Sequence, residues 1–129
     1  MIEGSCHCGA VRWTFKGVPD EATACSCTVC RRYGTLWAYD FEGEGIEVSG
    51  PTQAYIPVKD LGFHFCLRCG GLAYWRAVRL RDTGQRRIAV NLRLADDPQA
   101  VGSIPVEHLD GLGEWKEVRD GRCVRDMWF

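Results

Sequence analysis

Apolar and polar residues alternate along this chain in short stretches, and no helical period is sustained for long. Val11, Trp13 and Phe15 fall on one side of an extended segment and Arg12 and Thr14 on the other, the period-2 pattern of a half-buried strand. Gly17-Val18-Pro19-Asp20 ends that stretch. Residues 22–24, 36–41, 46–48 and 87–92 read as further strands, separated by Glu42-Gly43-Glu44-Gly45, Gly50-Pro51 and Asp82-Thr83-Gly84-Gln85 as turns. Residues 53–58 read as an edge strand, because Pro57 has no N–H to give to a ladder. Over residues 62–75 a strand enters, turns at Cys66-Leu67-Arg68-Cys69-Gly70-Gly71, where glycine permits positive φ, and leaves again. Arg31-Arg32-Tyr33-Gly34 predicts one helical turn stopped at Gly34, and Asp96-Asp97-Pro98 a turn. The tail through Pro105, His108, Trp115 and Cys123 carries no strong period. Short strands, frequent glycine turns and no long amphipathic helix predict an all-β (mainly β) fold with short helical turns only. No repeat, linker or low-complexity segment divides the chain, so residues 1–129 are expected to form a single domain.

Composition narrows the function classes. The chain is 46% hydrophobic and 26% charged, a globular balance, and its formal net charge is −1. That charge gives no electrostatic footprint for nucleic acid or for a membrane surface. Its apolar runs fall far short of the roughly 18–20 residues a membrane span requires. Met1-Ile2-Glu3-Gly4-Ser5-Cys6 lacks the basic and apolar regions of a signal peptide, so a cytoplasmic location is expected, with neither nucleic acid nor membrane as partner.

Eight cysteines in such a compartment call for something other than disulfides. Cys6-x-Cys8 and Cys25-x-Cys27 are too close to bridge internally without strain, yet both spacings suit metal ligation. Cys6-x-Cys8 and Cys66-x-x-Cys69 each supply half of a tetrahedral zinc site. Joined, Cys6, Cys8, Cys66 and Cys69 make a closed four-thiolate site without an open position, structural rather than catalytic.

Cys25-Ser26-Cys27-Thr28-Val29-Cys30 places three thiols within six residues. Three corners of a tetrahedron are met locally, and the fourth has to come from elsewhere. Three outcomes stay open on the residues alone: a second zinc with an open corner, a second closed site completed by Cys123, or metal-free, redox-active thiols. Three thiolates already neutralise Zn²⁺ and blunt its power to acidify water. A coordinating thiol is nonetheless deprotonated outright, so a small thiol is a better substrate than a hydrolysable ester. Arg31 and Arg32 follow the third cysteine and are candidates for binding a substrate carboxylate. His7, His64 and His108 form no H-x-x-x-H pair and read as local hydrogen-bonding groups. Trp13, Trp37, Tyr74 and Trp75 read as core.

The strings G-S-C-H-C-G-A-V (residues 4–11), C-S-C-T-V-C-R-R-Y-G (25–34) and F-C-L-R-C-G-G (65–71) resemble the glutathione-dependent formaldehyde-activating enzyme family, which also contains centromere protein V. Weaker similarity continues through Val90-Asn91, Leu94-Ala95-Asp96-Asp97-Pro98, Pro105-Val106-Glu107-His108 and Trp115. The resemblance implies a zinc-stapled β-tent of twisted antiparallel sheets. It implies two zincs per chain, a structural one on Cys6, Cys8, Cys66 and Cys69 and a catalytic one on Cys25, Cys27 and Cys30. It also implies a carbon–sulfur lyase similar to the enzyme that joins glutathione to formaldehyde as S-hydroxymethylglutathione. The partners expected are then a small thiol such as glutathione and a small aldehyde, with a homodimer left open. The rival expectation is a non-catalytic zinc-binding interaction module with both zinc sites structural.

Overall fold

The computed structural model describes residues 1–128. Its strands are β1 (Ile2–Ser5), β2 (Arg12–Phe15), β3 (Ala22–Cys25), β4 (Trp37–Phe41), β5 (Ile46–Ser49), β6 (Thr52–Val58), β7 (Leu61–Cys66), β8 (Leu72–Ala77), β9 (Arg87–Asn91), β10 (Val106–Leu109) and β11 (Glu117–Val118). The α-helices are single turns, α1 (Cys30–Tyr33) and α2 (Pro98–Val101). The fold is mainly β, in two sheets. A three-stranded sheet runs β1-β2-β5, and an eight-stranded sheet runs β11-β10-β3-β4-β9-β8-β7-β6.

Alternation explains how the sheets stack. Trp13 and Phe15 on β2 point inward with Ile2 on β1 and Ile46 on β5, and meet Ala38, Ile88 and Val90 from the larger sheet. β1 and β2 approach so closely that a Cβ added at Gly4 would lie 2.2 Å from the Trp13 ring, which is only 1% exposed. A bulkier residue there would push the tryptophan out of the core. The opposite face of the larger sheet is apolar too: Trp37, Phe63, Leu72, Trp75 and Ala89 form a second cluster with Cys30. Strands buried on both faces lose the clean apolar–polar alternation, as at residues 36–41 and 87–92.

The expected edge strand is β6, the last strand of its sheet, and its pairing with β7 slips between Tyr55 and Val58, at the stretch containing Pro57. Gly34 ends α1 in the left-handed conformation, φ 63°. All strand pairs are antiparallel except one, β10 running parallel to β3. The tail is more ordered than its sequence pattern suggests, with β10, β11 and a 3-10 turn at Val124–Met127. β10 buries Val106 and Glu107 in succession and so shows no alternation, and β11 is too short for any period. Asp96-Asp97-Pro98 leads into α2, where the Asp97 side chain accepts from the Gln99 N–H and Pro98 takes a first-turn position that needs no donor. No helix among the described residues is long and apolar enough to cross a membrane.

Candidate functional site

Two cysteine clusters assemble. In the first, Cys6 and Cys8 sit in the turn from β1 to β2, and Cys66 and Cys69 in the turn from β7 to β8, with the four sulfurs all within 4.8 Å of one another. The Gly9 N–H donates to the Cys6 carbonyl at 2.9 Å and the Gly70 N–H to the Cys66 carbonyl at 3.0 Å, so both turns are tight. Val11 N–H donates to Cys6 Sγ and Arg68 N–H to Cys66 Sγ, each at 3.3 Å, and the Cys66 thiol is lowered by the Cys69 N–H and then by that of Arg68. Backbone N–H groups of Cys8 and Gly71 draw the Cys69 thiol down to about 6. Cys8 Sγ lies 3.6 Å from both Cys6 Sγ and Cys66 Sγ. A tetrahedron with zinc–sulfur bonds of about 2.3 Å has sulfur–sulfur edges of about 3.8 Å. The donor set and its spacing fit zinc.

In the second cluster Cys25 ends β3, Cys27 lies in the following loop and Cys30 opens α1; their sulfurs also fall within 4.8 Å of one another. Cys27 N–H faces Cys25 Sγ at 3.5 Å, Cys30 N–H faces Cys27 Sγ at 3.3 Å, and the Trp37 indole N–H donates to Cys30 Sγ at 3.3 Å. Burial pushes the Cys30 thiol up to about 12, against the Trp37 hydrogen bond. Cys27 goes the other way: burial would raise its thiol, but the Cys30 N–H and neighbouring donors lower it overall. This donor set suits a metal that takes thiolates, because all three side chains are thiols within reach of one ion; no fourth Cys, His, Asp or Glu side chain joins it among the described residues. Cys123 lies elsewhere, pairing with Pro105 in an isolated bridge, its thiol donating to Asp126.

The three cysteines line a pocket of about 410 Å³, within the usual range for small-molecule sites. Trp37, Phe63 and Trp75 from the outer face of the large sheet form its walls, continued by Tyr39 and Leu61. The tail adds Leu109, Gly111 and Trp115. Hydrogen bonds from Ser26 N–H to the Leu109 carbonyl (3.0 Å) and from Leu112 N–H to Ser26 Oγ (3.4 Å) hold the tail against the cysteine loop. A Cβ at Gly111 would lie 2.6 Å from the Cys27 nitrogen, so only glycine lets the two backbones meet. Burial pushes the Tyr39 hydroxyl up to about 12.

Arg31 and Arg32 are exposed and do not line this pocket. Each helical residue turns about 100° from the last; with Cys30 facing inward, the next two positions rotate away, and Arg32 donates back to the Thr28 carbonyl at 2.7 Å. The pocket's arginine is Arg87, which the sequence reading passed over. Strand parity was the available signal, since Arg87 and buried Ala89 share a face of β9. Trp13, Trp37, Tyr74 and Trp75 are all buried as expected, but Trp37 and Trp75 also wall the pocket. His64 bonds Thr52 Oγ1 at 2.8 Å and His108 lies 3.5 Å from Asp120, both local partners.

The sequence profile of the glutathione-dependent formaldehyde-activating enzymes matches residues 1–108. The chain belongs to this family. A Halomonas elongata protein provisionally named a glutathione-dependent formaldehyde-activating enzyme is 32% identical over 87 residues, covering 58% of this chain and 55% of its own length. The chain therefore spans little more than half of that relative. A crystal structure of a Rhodobacter sphaeroides protein shares the fold, with TM-score 0.59 and 24% identity over 81% of this chain and 98% of its own. In this family member the profile stops just before Leu109, so Leu109, Gly111 and Trp115 come to the pocket from beyond the matched residues.

Proposed function

We propose that this protein is a zinc-dependent carbon–sulfur lyase that joins a small thiol, glutathione or a relative of it, to an aldehyde such as formaldehyde. The observation behind this is the convergence of Cys25, Cys27 and Cys30 in the lining of one pocket, with no fourth side-chain donor among the described residues. Cys6, Cys8, Cys66 and Cys69 are the structural zinc ligands in this reading, and Cys25, Cys27 and Cys30 the catalytic ones. Cys25, Cys27 and Cys30 would hold the zinc, which when bound would favour the deprotonated form of a substrate thiol at neutral pH.

The chain's own residues supply the rest. The aromatic walls hold both reactants beside the cysteine loop and exclude water, so that proximity carries much of the acceleration. The substrate sulfur donates an electron pair to the carbonyl carbon, forming the C–S bond, and the C=O π pair moves to oxygen. Tyr39 keeps its proton at neutral pH and gives it to that oxygen, and the proton that the substrate thiol released to solvent restores the phenol, so no net proton is gained or lost. Thiol and aldehyde become a hemithioacetal with no change of oxidation state. Such chemistry belongs in a reducing cytoplasm, where free thiols persist.

Native mass spectrometry of freshly reduced, zinc-supplemented protein tests this. The wild type should carry two zincs and take up glutathione, whereas Cys27→Ala should carry one zinc and take up none. Cys123→Ser should keep both zincs and uptake. Turnover by Cys27→Ala with a single zinc would place the reaction elsewhere, and loss of the second zinc from Cys123→Ser would favour the interaction-module alternative.

A further inference from the structure

Among the residues lining the three-cysteine pocket, only Arg87 carries a fixed charge; the walls are otherwise aromatic, aliphatic, or the cysteines themselves, with Thr28 the one aliphatic hydroxyl. Its neighbours Arg76 and Arg86 are both committed to Glu42. Arg87 takes part in none of the ion pairs among the described residues. Its guanidinium instead lies 5.9 Å from the Tyr39 ring centre and 5.7 Å from that of Trp75, a cation carried on the pocket's aromatic surface. A guanidinium placed this way is free to take a carboxylate in a two-pronged hydrogen bond. Trp115, which also lines the pocket, is 57% exposed and held at φ 60°, the only non-glycine residue at positive φ among those described. A bulky side chain in that conformation is strained, and an aromatic ring left in water beside a cavity has apolar surface to bury on a ligand.

We propose that the thiol this pocket selects has an aromatic or otherwise apolar body and a single carboxylate, which Arg87 receives. This rests on the open three-cysteine site proposed above and names its substrate class. Glutathione carries two carboxylates and one ammonium at neutral pH. One arginine answers only one of them, and the apolar walls offer no partner for the rest, whose desolvation then goes uncompensated. An aromatic thiol instead covers Tyr39, Trp75 and Trp115 while its sulfur reaches the cysteine loop.

The test is calorimetric binding of three thiols to the reduced, zinc-loaded protein: 4-(mercaptomethyl)benzoate, its methyl ester, and glutathione. The free benzoate should bind at least about tenfold more tightly than glutathione, as expected for one charged hydrogen-bonded pair well met against several left unmet. Arg87→Gln should weaken the benzoate about tenfold, to the level of the ester, and leave the ester unchanged. Trp115→Ala should weaken benzoate and ester alike. Glutathione binding as tightly as the benzoate, or an Arg87→Gln variant that still prefers benzoate to ester, overturns the proposed selectivity while the open thiol site stands. Failure of all three thiols to bind overturns the open site itself, and this selectivity with it.

Discussion

Trp37 and Tyr39 stand two positions apart on β4 and so share a face, which brings one indole to Cys30 and one phenol to the pocket wall. Their chemistry differs accordingly. The Trp37 ring is 1% exposed and belongs to the packing under the cysteine loop, so its removal would cost on the order of 3–5 kcal/mol of stability before any effect on reaction is seen. Tyr39 is partly open to solvent and keeps a transferable proton at neutral pH, so its replacement separates chemistry from folding. Tyr39→Phe should lower kcat by about a hundredfold, the low end for a lost proton donor, while thiol affinity and zinc content hold. Steady-state kinetics with the zinc-loaded variant reads this directly; an unchanged kcat means that water protonates the oxygen.

At the scale of elements, the parallel pairing of β10 with β3 has an electrostatic consequence. It sets Glu107 opposite Thr23, where its side chain is buried and faces Glu21, Glu117 and Arg119. Arg119 lies 2.7 Å from Glu21 and 3.6 Å from Glu107, so one cation serves two acids. A hydrogen bond to Glu21, then burial and Glu117, push the Glu107 carboxyl up from its usual 4.5 to about 7. Because the folded state holds that proton more tightly than the unfolded chain, the associated stability is complete below about pH 4.5. It is lost as the pH rises through about 7. Glu21, lowered by Glu107 and Arg119, acts in the opposite sense, at lower pH. Glu107→Gln retains a donor to Glu21 and cannot ionise. Thermal melts between about pH 5 and 8 should fall with rising pH for the wild type and lie flatter for the variant.

For the whole molecule the four-cysteine cluster brings the β1–β2 turn of the small sheet against the β7–β8 turn of the large one, and in the proposed reading its zinc clamps them together. Metal bound there is folding free energy, because no such site exists in the unfolded chain. Cys66→Ser should therefore cost several kcal/mol, each lowering Tm by about 2–5 °C. Cys27→Ala, in a surface loop, should move Tm far less although it removes the same number of metal ions. Melting both variants with zinc present separates a fold-holding site from a reactive one. If Cys66→Ser melts with the wild type, the clamp does not hold the sheets together.

Much of this was legible in the residues because the interactions concerned are local. Alternation placed β2, and apolar or aromatic runs between glycine turns placed β4, β5 and β9 close to where they are. Each of the spacings C-x-C, C-x-C-x-x-C and C-x-x-C keeps its own sulfurs together, and the two half-sites pair because each lacks two of four donors. The similarity to the family rests on those same strings. What the sequence could not convey depends on register between distant strands. Arg87 reaches the pocket, and Arg31 and Arg32 do not, because of which way a strand and a single helical turn face once packed. Gly111 and Trp115 meet Cys27 and the aromatic walls only because β10 lies alongside β3, and Cys123 is kept from the cluster by its bridge to Pro105. The metal-ligating chemistry was thus written in short spacings, while the shape and charge of the cavity facing it came from contacts between residues far apart in the chain, which no local pattern encodes.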